Sequence, residues 1–292
     1  MNNNKYEIFT DSVSSLTDEI IDKYSINIFS LSYMVEEVDY VGYTKGQKTE
    51  YQKYYDMLRE GKVMTTSQPN PLLCTEAFER VLKEGKDILY ICFSSALSGT
   101  YDGAMSIINA LRPQYHKRKI IIIDSKSASL GLGLLVYNAA QKAQAGESIE
   151  DVAQWVEDTK FNVCHYFRVD KLVYLRRGGR IPATSALLGT IVGIKPILYM
   201  PNEGTLVPIR KVKGIKKTIT ALYDAMVEKT LPTEEQTVFI VHADCIEDAE
   251  ILKSMILETF KVKEVIINYL DLVTGSHAGP GTLGLFFLGK ER

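Results

Sequence analysis

Three times before residue 130 this chain repeats one pattern: an apolar run of strand length, a loop rich in hydroxyls, then residues at helical spacing. The runs are Tyr6–Thr10, Ile88–Phe93 and Lys119–Ile123. The loops that end them are Asp11-Ser12-Val13-Ser14-Ser15, Ser94-Ser95-Ala96-Leu97-Ser98-Gly99-Thr100 and Asp124-Ser125-Lys126-Ser127-Ala128-Ser129. Strands alternating with helices predict a parallel sheet, and in such a sheet the three loops share one edge. That edge, beyond the carboxyl ends of the strands, is where open α/β sheets hold ligands. After Gly99, residues Tyr101, Ala104, Ile107, Ile108 and Leu111 fall at helical spacing, so the second loop also offers the N–H groups of a helix start to an anion. One such loop is explained by a turn and a helix cap; three on one edge describe a site.

The remaining chain supplies the frame. Ile26–Val35 reads as one strand, Glu37–Thr49 as a loop, Tyr51–Glu60 as a helix, and Pro71 opens a helix that runs to Lys83. Thr65–Gln68, just ahead of Pro69, joins the hydroxyl loops. Gly131-Leu132-Gly133 reads as the approach to a helix over Leu134–Ala145, and Ser148 starts another that ends near Thr159. The domain boundary is placed there, giving 1–159 and 160–292. In the second part Val163–Val169 is a strand, Ala183–Val192 a helix of small residues, and Asn202-Glu203-Gly204 the turn of a hairpin. Strands at Thr237–His242 and Val265–Leu270 flank a helix over Cys245–Phe260, and Leu283–Leu288 is an inner strand. The expected fold is α/β: an N-terminal domain with a parallel sheet, a C-terminal one with a mixed sheet, and the ligand between them.

Composition narrows the function. A net charge of -2 gives no reason to expect a nucleic-acid or membrane-surface protein. Cys74, Cys92, Cys164 and Cys245 lack metal or disulfide spacing and read as reduced thiols. No signal-peptide pattern opens the chain and no window is apolar enough to span a bilayer, so the expected location is cytoplasmic. GxxxxGK[ST] is missing, and Gly131-Leu132-Gly133 lacks the third glycine of a dinucleotide fingerprint. His116, His165, His242 and His277 are scattered, with no HExxH. No cofactor or metal is expected.

The candidate residues are therefore hydroxyls, a histidine and arginines. Gly275-Ser276-His277-Ala278-Gly279-Pro280-Gly281-Thr282 sets His277 on bare backbone, where a carboxylate can come close. Arg176-Arg177-Gly178-Gly179-Arg180 puts three guanidinium forks on one turn, suited to phosphate or carboxylate. Arg210, Lys211, Lys213, Lys216 and Lys217 add a basic face. An enzyme alternative is a serine-type lipid hydrolase with Ser98 as nucleophile, His277 as base and Asp11 or Asp124 as orienter, although the GxSxG elbow is missing around Ser98.

Six stretches occur in the order found in the DegV family: Thr10-Asp11-Ser12; Thr66-Ser67-Gln68-Pro69; Ser98-Gly99-Thr100-Tyr101; Leu175-Arg176-Arg177-Gly178-Gly179-Arg180-Ile181; Ile194-Lys195-Pro196-Ile197; and His277-Ala278-Gly279-Pro280-Gly281. The chain resembles that family over essentially its whole length. The resemblance implies two α/β domains with a long-chain fatty acid between them, and a bacterial binding subunit without catalysis of its own. Such a subunit presents the acyl carboxylate to a separate fatty-acid kinase for phospholipid metabolism. It implies that Thr66 and Ser98 bond the carboxylate with His277 close by, that Ser67, Gly99, Thr100 and Gly279 are further contacts, and that Arg180 and Lys213 serve kinase docking or phosphate handling. Lys213 stands where the family often has Arg, and Val13-Ser14-Ser15 where it often has an Asp. A lipid sensor that works without a kinase is the third class of function left open.

Overall fold

The computed structural model describes residues 5–182 and 193–292, so the expected helix over Ala183–Val192 lies outside the described residues. The first half runs β1 (Tyr6–Asp11), α1 (Asp18–Tyr24), β2 (Asn27–Phe29), β3 (Ser32–Val35), β4 (Val38–Val41), α2 (Tyr51–Arg59), β5 (Met64–Ser67), α3 (Pro71–Lys83), β6 (Asp87–Cys92), α4 (Thr100–Leu111), β7 (Ile120–Asp124), α5 (Ser129–Gln144) and α6 (Ile149–Thr159). The second half continues with β8 (Val163–Arg168), α7 (Val173–Arg177), β9 (Ile194–Tyr199), β10 (Val207–Lys213), α8 (Ile215–Lys229), β11 (Thr237–His242), α9 (Ile246–Thr259), β12 (Glu264–Tyr269), α10 (Leu272–Ala278) and β13 (Leu283–Leu288).

Strands β2-β1-β6-β7 form a parallel sheet in that order, and β10-β9-β8-β13-β11-β12 a mixed one in which only β11 and β12 are parallel. Each strand of the first sheet is covered on both faces, which is why β6 is apolar from Ile88 to Cys92 rather than alternating. Ile88, Tyr90 and Cys92 pack with α3 and α4 residues such as Phe78 and Ile108. Leu89 and Ile91 point the other way, into the core that contains α5. Helices α8 and α9 cover the outer face of the mixed sheet, against Tyr166, Ile240 and Phe287.

Helix α5 lies between the two sheets. It touches β1 and β6 on one side and β8, β11 and β13 on the other. Twelve of its sixteen residues are buried, so it has almost no polar face, as expected of a helix walled in all round. It begins earlier than the sequence implies, at Ser129, and takes Gly131 and Gly133 into its first turns. Glycine disfavours helices, but a Cβ at 131 would stand 2.0 Å from His165 Nε2 and one at 133 would stand 2.6 Å from the Ser14 carbonyl oxygen. Close packing outweighs propensity here.

Two other expectations change. Ile26–Val35 is not one strand: β2 pairs with β1, whereas β3 leaves to pair antiparallel with β4 and β5. The chain turns at Ser30-Leu31, where Leu31 N–H donates to Ser12 Oγ (3.1 Å) and Ser30 Oγ accepts from Tyr43 N–H (2.9 Å) in place of ladder bonds. Strand β4 falls in the stretch expected to be a loop, because all four of its residues are exposed and carry no burial signal. Thr65–Gln68, also expected as loop, mostly belongs to β5, a strand whose pattern is polar because it borders the site.

Candidate functional site: a cavity between the two sheets

The three hydroxyl loops do share one edge. Phe93 N–H donates to Asp11 Oδ2 (2.6 Å), Ser94 N–H to Ser127 O (3.0 Å) and Ser125 N–H to Cys92 O (3.1 Å). Asp11 is fully buried beneath the loops and also accepts from the Tyr90 hydroxyl. Burial pushes its carboxyl up to about 6 despite these donors. Its role is to hold the chain where β6 becomes the Ser94–Thr100 loop. Asp124 is taken up by Ser95 and Lys126, the latter at 2.7 Å.

Above these loops lies a cavity of about 200 Å³ walled by both halves of the chain. Much of the wall is apolar, with Leu97, Phe167, Met200, Leu206, Val273 and Phe286. One cluster is polar: Thr66, Ser67, Gln68, Ser98, Arg180 and His277. These come from four separate stretches. Thr66 lies on β5. Ser98 precedes α4, and its hydroxyl is 2.8 Å from Thr100 Oγ1 and accepts from Thr100 N–H (3.3 Å). The Gln68 amide lies against Gly99 and Gly103, where a Cβ would fall 2.5 and 2.8 Å from its end.

His277 is not on a loop. Gly275, Ser276 and His277 are helical, and His277 sits in the last turn of α10. Asp271 caps that helix, accepting from Thr274 N–H (2.8 Å) with one oxygen and from Ser15 Oγ (3.0 Å) with the other. Gly279 ends it at φ +83° and packs on Tyr174. The imidazole Nε2 is 2.9 Å from Thr66 Oγ1. Burial, then the positive charges of Arg180 and Arg177, lower the imidazole to about 4, so it is neutral near pH 7.

The two glycines of Arg176-Arg177-Gly178-Gly179-Arg180 serve different ends. A Cβ at Gly178 would stand 2.1 Å from His277 Nδ1, whereas Gly179 has open space and needs its freedom for φ +73°. Arg180 then turns back, donating from Nε to Leu97 O (3.2 Å) and from a terminal nitrogen to Gly178 O.

Thus Thr66, Ser98, His277, Ser67, Gly99 and Arg180 are brought together on the cavity wall. Thr100 reaches it only through Ser98, and Gly279 only as the helix end behind His277. Lys213 is exposed at the end of β10, opposite Ile194, and does not line the cavity. Ser129 and the buried His165 line it without having been singled out as ligands. His165 binds Val163 O through Nδ1 (2.8 Å) and faces Gly131 across the sheet gap, a pairing with no local sequence signal. His277 engages Thr66, and neither Asp11 nor Asp124 bonds an imidazole among the described residues, so no Ser-His-Asp chain is assembled. Among the described residues no three His, Cys, Asp or Glu are grouped to hold a metal ion.

A mixed α/β chain with a parallel sheet, a mixed sheet and a hydroxyl–imidazole cavity between them matches a known family. The chain belongs to the DegV family, whose model, described as an uncharacterised protein family, matches residues 5–290. It is 43% identical over 288 residues, 99% of both chains, to the DegV domain-containing protein CPE0026 of Clostridium perfringens. Among solved structures it is similar to a DegV lipid-binding protein of Thermotoga maritima, with TM-score 0.86 and 27% identity over 98% of this chain and 99% of that one. It is similar also to DegV of Bacillus subtilis, described as a fatty acid binding protein, with TM-score 0.82 and 27% identity over 99% of this chain and all of that one. No helix among the described residues is long and apolar enough to cross a membrane.

Proposed function

We propose that this protein binds a long-chain fatty acid in the cavity and presents its carboxylate to a separate kinase, which phosphorylates it to an acyl phosphate. The observation that carries the reading is the pairing of an apolar wall with one donor cluster of hydroxyls, an amide, an imidazole and the Arg180 guanidinium, and the fatty acid binding described for the Bacillus subtilis relative supports it. Thr66 and Ser98 each donate a hydroxyl hydrogen to the carboxylate. Each is backed by a second group, His277 behind Thr66 and Thr100 behind Ser98. The acyl chain lies along the apolar wall between the halves 1–159 and 160–292. Burying the fourteen methylenes of a sixteen-carbon acid gives about 11 kcal/mol gross, against an association cost of about 4–15 kcal/mol, so only a long chain binds well. The protein has no catalysis of its own and acts in the cytoplasm. Arg180 and Lys213 face the kinase or the transferred phosphate.

Two experiments test this. Solvent extraction of the purified protein, with mass spectrometry of the extract, should recover a fatty acid in near-stoichiometric amount. Adding a fatty-acid kinase and ATP to the loaded protein should yield acyl phosphate. Protein that stays empty when offered palmitate, or that carries a nucleotide instead, would overturn the binding; loaded protein that no kinase phosphorylates would leave a lipid carrier or sensor.

A further inference from the structure

Resting on that reading, we propose that Arg180 is a positioning residue: it fixes His277 in the tautomer that carries its hydrogen on Nε2, and so leaves the Thr66 hydroxyl hydrogen available to the ligand. The contact between His277 Nε2 and Thr66 Oγ1, 2.9 Å, is compatible with either direction of donation. The directions have opposite consequences. If Thr66 donates to the imidazole, its only hydrogen is used and the cavity meets a bare lone pair. If the imidazole donates to Thr66, the threonine donates onward to a carboxylate.

The other ring nitrogen decides between them. Which nitrogen of a neutral imidazole carries hydrogen follows from what its partner nitrogen faces. Nδ1 rests against Gly178, where even a methyl group would stand 2.1 Å away, and has no hydrogen-bond partner among the described residues. The guanidinium of Arg180 bonds the carbonyl of that same Gly178. Arg180 is half-buried, has no carboxylate partner among the described residues, and acts with Arg177 as the charge that disfavours a proton on this imidazole. With the guanidinium anchored on the residue that Nδ1 rests against, a hydrogen on Nδ1 is disfavoured and a lone pair there is stabilised. The neutral form with hydrogen on Nε2 is therefore preferred. Arg180 also donates to Leu97 O, the residue before Ser98, so one side chain braces both donor arms of the site.

The test reads the tautomer directly in the ligand-free full chain, by ¹⁵N NMR of labelled histidine, with His277 assigned by its loss in His277→Gln. In the wild type His277 should show hydrogen on Nε2 and a bare Nδ1. In Arg180→Met, which keeps bulk and loses charge, the two tautomers should become a mixture; Arg180→Lys, which restores charge, should return the single form. A wild-type His277 with hydrogen on Nδ1, or a single Nε2–H form that persists in Arg180→Met, would overturn the proposal. If the Met variant fails to fold, Arg180→Gln is read in its place, and a single Nε2–H form that persists there would likewise overturn the proposal. Fatty-acid occupancy, measured separately by native mass spectrometry, tests the binding reading alone, so failure of one is distinguishable from failure of the other.

Discussion

At the scale of single residues, Thr66 and Ser98 are equal partners under the binding reading. A hydrogen bond to a charged group is worth about 1.5–3 kcal/mol, and 1.4 kcal/mol is about tenfold in affinity. Thr66→Val and Ser98→Ala should each weaken palmitate binding by roughly ten- to a hundredfold. A hydrolase would behave otherwise: Ser98→Ala would keep affinity and lose turnover, and a fluorophosphonate would label Ser98. Titration with a fluorescent fatty acid, beside the labelling assay, separates the two. Gly178→Ala makes a further point, because its methyl group cannot coexist with His277 Nδ1 at 2.1 Å. The imidazole must leave Thr66, and affinity should fall at least ~10-fold, as expected for one such bond, while Gly85→Ala, at a positive-φ turn with open space far from the cavity, should leave binding unchanged. Asp11 carries a pH signature. Its carboxyl rises from 3.8 in the unfolded chain to about 6 in the fold, so the native state binds the extra proton and stability drops as pH rises between those values. Relative to Asp11→Asn, the wild type should lose about 3 kcal/mol at most across pH 4–6, read from urea unfolding. Wild-type stability that rises with pH relative to Asp11→Asn would contradict the assignment.

At the scale of elements, α10 is the piece to test. A helix of seven residues is marginal alone; it is held by its Asp271 cap, by the Tyr54 hydroxyl on Leu272 O and by Thr282 Oγ1 on Gly279 O (2.8 Å). Asp271→Ala removes the cap, worth about 0.5–2 kcal/mol, and strips Ser15 of its acceptor. It should lower stability by roughly 1–3 kcal/mol and loosen His277, seen as a weakened fatty-acid affinity in protein that is still folded. This element also marks the limit of what the sequence makes legible. β1, β6 and β7 and their loops are readable because strands buried on both faces carry apolar runs that end in polar loops. The composition of Gly275-Ser276-His277-Ala278-Gly279 argues for a loop, yet Gly275 is there because the Tyr55 hydroxyl would stand 2.7 Å from any Cβ. Likewise Thr66 and His277 are 211 positions apart, and only the family pattern, not spacing, joins them. Arg180 reads as a surface charge in its basic motif; its turn back to Leu97 O depends on the φ of Gly179.

At the scale of the whole molecule, a ligand that binds only the folded chain raises its stability by mass action. At a hundredfold excess over Kd this is about 2.7 kcal/mol, which for a chain of this size is on the order of 5 °C in Tm. Palmitate should give such a shift in differential scanning calorimetry. Hexanoate, with ten fewer methylenes and so ~8 kcal/mol less gross burial, should give none at the same concentration. Equal shifts for both acids would mean that the carboxylate alone is recognised and the apolar wall is idle.

Because α5 is packed against both sheets at once, the cavity has no hinge behind it. Swinging the halves apart would strip water-free contacts from one whole side of the most buried helix, Leu130 to Ala143, an event on the scale of unfolding. On the binding reading, an acyl chain would instead enter and leave through local give in the cavity wall, to which β5, the start of α4 and the Arg176–Arg180 turn contribute. Hydrogen–deuterium exchange carries that signature. Amides of α5 should exchange equally slowly with and without palmitate, and protection gained on loading should be confined to β5, the Ser94–Thr100 loop and the arginine turn. Loading and unloading would then be timed by a few short segments while the interior stays closed, so under the binding reading a carrier of this build would exchange its cargo without opening its core to water.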